Sequence, residues 1–496
     1  MNCKRFGAAA LIAVILLPAL AACSSDTGDV PETTDTTVPA VTDTTTYSRE
    51  NTPDSLPDTL NFNGMRMRFP LRDEPRYIRE ITGGDTYGDV VTDAVADRNR
   101  MVEERLGIKI ETSILPYSLD DWGKSFQNSV LSLSDDYDIV PGLQTKVLVP
   151  ALAGCFYNLQ DEKYIDLEQP WWWNAYIDEL RINNKGTYFL NGDISLVSFE
   201  MMSAIIFNKQ MLTDLGTTPE ELYDTVLNGN WTYDRLSELG ASAYRDVNGD
   251  GVRDRGDIYG YCFVTNTTSD HFAFTVGLRS AERDANGHPV LTMNTEAWVN
   301  YFQDVLHPLF YENDGTLITG TDGNLRNNKF LNNTSLFLVD RMYVYSILRD
   351  YEGEYGVIPY PKLTEAQENY KTLVHDATTV YCVPITTSKE NMDGITATLE
   401  AMCAQSFRTV VPAFYEIALK VKYQSDSQSG QCIDLIRAGI HTEFGYAYSA
   451  MLSGVGALSR WIISSTSTNF ASQWARVENS VDIKLAELIR IYEEAE

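Results

Sequence analysis

Between Phe62 and Val140 the apolar residues switch repeatedly between a period of two and a period of about 3.6, and this switching narrows the possible folds sharply. Met65, Met67 and Phe69 alternate with Arg66 and Arg68, which predicts a strand over 62–69. A helix is predicted over 89–106: Val91, Ala94, Val95, Val102 and Leu106 share one face, while Asp97, Arg100 and Glu103 lie away from it. Gly107 supplies the stop. A strand is predicted over 108–114, a helix over 119–133 and a short buried strand over 137–140. Strand, helix, strand, helix, strand is the order of an α/β sheet with crossover helices. Beyond Gly186 the alternation returns with longer helices. Residues 335–339 read as a strand, and 479–494 as a closing amphipathic helix with Val481, Leu485, Leu488 and Ile489 inward. No solenoid period is present, and a chain of 496 residues is long enough for two or more domains.

The N-terminal part reads differently. Lys4 and Arg5 precede an apolar stretch, Phe6 to Leu17, which Pro18 breaks before it is long enough to span a bilayer. The run Leu20-Ala21-Ala22-Cys23 that follows resembles a bacterial lipoprotein cleavage box. The resemblance implies a signal peptide over 1–22 and a lipidated Cys23 at the mature terminus. Residues 23–59 are rich in Thr, Asp, Ser and Pro, have few apolar side chains and are expected to form a disordered tether. The expected location is the extracellular face of the cell membrane, with the lipid as the only membrane contact. Removing 1–22 takes away two of 39 basic side chains and none of 69 acidic ones, moving the formal charge from −30 to −32. So acidic a surface disfavours nucleic acid and anionic lipid head groups. Cys155, Cys262, Cys382, Cys403 and Cys432 show no CxxC spacing; an exported location allows one disulfide, and buried thiols fit equally well.

Several stretches together resemble the extracellular solute-binding proteins of family 1, the receptor components of ABC importers, most often for sugars. They are Ala96-Asp97-Arg98-Asn99 with Val102-Glu103-Glu104-Arg105-Leu106-Gly107; Phe207-Asn208-Lys209 before Leu215-Gly216; Asn230-Trp231-Thr232-Tyr233-Asp234-Arg235-Leu236; Phe330 to Val344; and Tyr355-Gly356-Val357-Ile358-Pro359-Tyr360-Pro361-Lys362. The resemblance implies a two-lobed, type II periplasmic-binding-protein-like α/β fold with a ligand cleft between the lobes. Lobe one would be 60–196 plus 378–426, and lobe two 197–377 plus 427–496. It also implies a monomer that closes on a mono- or oligosaccharide and hands it to permease subunits.

Some residues carry chemistry of their own. Asp246, Asn248, Asp250, Val252 (through its carbonyl), Asp254 and Asp257 fall at the ligand positions of an EF-hand-like calcium loop, with Gly251 at the sharp turn. Asp257 stands where such loops have Glu, so a structural Ca2+ would be held with a shorter last ligand. For the cleft, Trp171, Trp172 and Trp173 concentrate aromatic surface suited to the apolar faces of pyranose rings. The resemblance adds Glu200 as an acidic sugar contact and Arg341 with Tyr343 at the start of an aromatic-bearing turn; Asp340 is a further polar candidate. There is no HExxH, GxSxG or P-loop, Gly454-Val455-Gly456 is too little for a dinucleotide motif, and the five histidines are scattered. No catalytic residue is expected. The competing readings are a lipid-anchored glycan hydrolase or lyase, and a surface glycan receptor without transport.

Overall fold

A computed structural model describes residues 49–83, 89–116, 118–420 and 427–495. Cys23, the signal segment 1–22 and the tether up to residue 48 lie outside the described residues. Residues 49–59, expected as tether, are folded onto the body. Asp54 is ion-paired with Arg105 and Arg408 at 2.6 Å each, Leu56 is buried, and the Arg49 guanidinium lies 4.6 Å from the Phe407 ring centroid. Composition marked this stretch as polar, but its charges have partners on the body.

The strands, in chain order, are β1 (Met65–Arg72), β2 (Ile108–Leu115), β3 (Val140–Leu143), β4 (Ser203–Asn208), β5 (Tyr259–Phe263), β6 (Ala281–Arg283), β7 (Pro289–Leu291), β8 (Thr316–Ile318), β9 (Ser335–Arg341), β10 (Tyr355–Ile358), β11 (Thr372–Leu373), β12 (Thr379–Cys382) and β13 (Ile440–His441). Nine of them fall into two groups, and β6 with β7 and β11 with β13 form two separate pairs. In the first, β1 pairs parallel with β2, from Met65 opposite Ile108 to Arg72 opposite Leu115. β12 pairs antiparallel with β3, and Asp138 at the entry to β3 donates its N–H to the Arg68 carbonyl of β1. In the second, five strands run in the order β10-β4-β9-β5-β8, with β4 antiparallel to both its neighbours and β5 parallel to both of its own. Every residue of β4 is buried, as a strand covered on both faces must be. Between the groups two stretches of chain run side by side, bridged at Leu190 to Tyr381 and at Met202 to Val374.

Local signals explain the elements. Helix α1 (Pro75–Thr82) has proline at its first turn, where a missing N–H is harmless. Helix α2 (Val90–Leu106) is capped by Asp89, which accepts from Val91 N at 3.0 Å, and ends at Gly107 in the left-handed region. Asn208 caps the helix Lys209–Asp214 through Met211 N at 2.9 Å, and Thr232 caps the helix Tyr233–Ala243. That second helix lies so close to the sheet that a Cβ on Gly260 or Gly315 would collide with the backbone of Gly240.

Two buried charges fix the elements that matter below. Arg98 of α2 donates to the Glu80 carbonyl at 3.1 Å and to Ser406 Oγ at 3.2 Å. The Glu80 carboxylate of α1 accepts from Ser195 Oγ at 2.7 Å and Val197 N at 2.8 Å, which ties α1 to the short helix Leu196–Glu200. Among the described residues no helix is long and apolar enough to cross a membrane. Cys155, Cys262, Cys382, Cys403 and Cys432 are all buried thiols.

Candidate ligand cleft

Three elements converge on one cavity. α1 contributes Arg76 and Arg79. The helix Leu196–Glu200, capped by Ser195 onto Ser198 N at 3.2 Å, ends in Glu200. The tight 3-10 turn Met342–Asp350 after β9 carries Tyr343, Tyr345 and Ser346. The cavity they line with Ile78 and Thr92 is about 790 Å³, large enough for an oligosaccharide-sized guest.

Glu200 is its polar centre. Its side chain is 6 % exposed, forms an ion pair with Arg79 and accepts from the Tyr345 hydroxyl at 3.2 Å. Burial pushes the carboxyl above its ordinary range against the pull of Arg79 and Arg76. Burial is the largest single influence on Arg79 and acts against its charge, but Glu200, Tyr345 and Asp89 together outweigh it and hold the guanidinium protonated. Arg76 donates to Glu74 at 2.7 Å, and the other Glu74 oxygen takes Arg72 at 3.0 Å.

Arg341 stands next to this wall, its guanidinium 4.7 Å from the Tyr343 ring centroid, a cation–π contact. It donates through Nε to Asp340 Oδ1 at 3.1 Å, while Nη1 meets only the Met201 thioether, at 3.6 Å. Asp340 is fully buried. Burial alone would raise its pKa, but Arg326 and Arg341 hold it below the ordinary carboxylate value. The rings of His271 and His375 lie 6.2 Å apart with both Nε2 atoms buried and without partners. Burial, then the Arg341 charge, drives His271 down to about 3 and His375 well below its usual value, so both are neutral. The neighbouring Asp376 is 28 % exposed, yet burial raises its carboxyl.

No protein-family model matches the sequence, and no curated protein matches it. Solved structures do match. UspC of M. tuberculosis is 14% identical over 84% of this chain and 100% of its own, with a TM-score of 0.56. A cyclo/maltodextrin-binding protein complexed with maltotetraose is 12% identical over 86% of this chain and 96% of its own, with a TM-score of 0.55. UgpB from Mycobacterium tuberculosis, in complex with glycerophosphocholine, is 13% identical over 86% and 99%, with a TM-score of 0.53. This chain has the two-lobed periplasmic-binding-protein fold.

Within that fold the sequence-predicted site residues separate. Glu200 and Tyr343 line the cavity, and Arg341 and Asp340 stand directly behind Tyr343. The tryptophans are placed elsewhere. Trp171 and Trp172 are buried and donate their indole N–H groups to Glu400 at 3.0 and 2.8 Å, and buried Trp173 donates to Asp193 at 2.9 Å. Core packing with a buried carboxylate acceptor consumes the surface that sequence reading had assigned to sugar. Arg76, Arg79 and Tyr345 went unrecognised. Pro75 at a helix start with Tyr77 and Ile81 inward was the available signal for α1.

The acidic loop 246–257 joins the helix Tyr233–Ala243 to β5. Gly249 and Gly251 both sit at φ 73°, and the Asp246 carboxylate accepts from their N–H groups at 2.7 and 2.8 Å. Asp257 is 1 % exposed and accepts from Val247 N and Asp254 N at 3.1 Å each and from the Tyr244 hydroxyl at 3.3 Å. Its carboxylate therefore braces the loop from within. No group of three or more His, Cys, Asp or Glu side chains gathered as for a metal is found among the described residues.

Proposed function

We propose that this chain is an extracytoplasmic solute-binding receptor that captures a carbohydrate in the cleft and delivers it to an ABC permease, binding its guest without altering it. The observation that carries the reading is the cavity of about 790 Å³ lined by Glu200, Arg79, Tyr343 and Tyr345, in a fold shared with a protein solved holding maltotetraose. Hydroxyl-rich rings call for such walls: aromatic faces for their C–H surfaces, with charged donors and acceptors around them. Titration with an oligosaccharide panel, followed by intrinsic fluorescence and by mass analysis of the recovered sugar, tests it. Saturable binding with intact sugar supports a receptor; turnover of the sugar points to the hydrolase or lyase reading instead.

Two further parts of the proposal concern the periphery. Cys23 carries the lipid that holds the receptor at the membrane; Cys23→Ser should release it to the medium, and unchanged membrane association would refute lipidation. The loop 246–257 holds a structural Ca2+. Its hard oxygen donors would be Asp246, Asn248, Asp250, the Val252 carbonyl and Asp254, with Asp257 bracing them. The turn that Gly249 and Gly251 make about Asp246, with both N–H groups donating to its carboxylate, supports this, since it is the sharp turn such a loop needs. A chelator should lower the melting temperature of the parent protein and leave Asp250→Ala unaffected; an unchanged parent counts against the metal.

A further inference from the structure

We propose that the captured saccharide carries an oxyanion, a carboxylate, sulfate or phosphate, and that Arg79 and Arg341 receive it. This rests on reading the cavity as a saccharide site and names the class of saccharide.

Donor supply argues for it first. A guanidinium has five N–H donors, and a buried donor left without an acceptor is costly. Arg79 lines the cavity, pairs with Glu200, and has its Nε buried with no acceptor. Arg341 lies against the cavity residue Tyr343, and its Nη1 meets only a thioether, a weak acceptor for a full cation. Both side chains keep some solvent access, 29 % for Arg79 and 14 % for Arg341, so a guest can reach them.

Charge argues for it independently. The chain has 69 acidic and 39 basic side chains, yet this wall has the opposite balance. Glu74 is shared by Arg72 and Arg76, and Asp340 by Arg326 and Arg341, so each carboxylate answers two guanidiniums. Arg460 pairs with Asp270 and lies near Asp376, two carboxyls that burial raises, Asp270 to about 7. A neutral sugar would leave the excess positive charge unanswered in a desolvated recess. A planar or tetrahedral oxyanion answers it and matches the guanidinium fork.

The test is calorimetric titration of the full-length protein with trigalacturonate, with galactotriose as its neutral counterpart, and with sulfated and phosphorylated galactose, at about 20 and about 200 mM salt. At least one acidic ligand is expected to bind about tenfold or more tighter than its neutral counterpart and to weaken with salt; which one identifies the oxyanion. Arg341→Gln should erase that preference, Arg341→Lys should retain part of it, and Arg79→Gln provides a second, independent loss. Equal or tighter binding of the neutral sugar overturns the oxyanion proposal and leaves the receptor reading standing. Binding of no saccharide of either kind overturns both.

Discussion

At the scale of single residues, Glu80 and Glu200 do most to set the site. Glu80 is fully buried and does not line the cavity, but it accepts from Ser195 and Val197 and so holds α1, with its arginines, against the helix that ends in Glu200. Burial lifts its carboxyl from 4.5 to about 7. The folded state therefore favours the protonated form: the stability this group contributes is whole below about pH 4.5 and is lost as the pH rises through about 7. At about 1.4 kcal/mol per unit, the loss is on the order of 3 kcal/mol. Glu80→Gln should flatten the fall in melting temperature between about pH 5 and about pH 7.5; equal slopes for variant and parent in thermal scans would refute this. Glu200→Gln removes the charge that Arg79 answers, and saccharide affinity should drop at least about tenfold in titration with little change in the fold. The family resemblance singled out Glu200 and Tyr343 beside recognisable strands, and both line the cavity. The tryptophans are ambiguous for a physical reason: an indole that suits a pyranose suits a core equally well, and the decision falls to Asp193 and to Glu400, the latter more than two hundred residues on.

At the scale of elements, periodicity located what was locally encoded. The helix ending at Gly107 and the strand after it came out within a residue or so, since cap, amphipathic face and stop agree. The short strand expected over 137–140 is displaced to Val140–Leu143. Its position is set by pairing with Thr379–Cys382, a partner more than two hundred residues away that periodicity cannot sense. The closing helix begins at Phe470 rather than 479, because Phe470 and Trp474 are buried ahead of the clearest stripe. The contact of Gly240 with Gly260 and Gly315 was likewise invisible, as it joins three glycines from separate elements. It yields a sharp expectation: Gly260→Ala forces the helix Tyr233–Ala243 off the sheet, costing about 3 kcal/mol or failing to fold, in chemical denaturation against the parent. A cost below about 0.5 kcal/mol would mean that the helix rides higher than described.

At the scale of the whole molecule, two sheet groups are joined by chain segments that run side by side, and the cavity draws walls from both sides of that junction. The proposed receptor would work by closure: a guest that touches both walls would favour the shut form by its differential affinity. The strand–helix alternation carried the α/β class and the family resemblance implied the two lobes, but neither reached where the tether ends, since the salt bridges of Asp54 reach residues as distant as Arg408. Closure around an unaltered saccharide is the claim on which the other expectations converge. Small-angle scattering before and after saturation with a bound saccharide, with the sugar then recovered and weighed by mass spectrometry, tests it most directly. The expected result is a fall of roughly 1 Å in radius of gyration with the sugar intact. An unchanged radius at saturation, or a cleaved sugar, would contradict it.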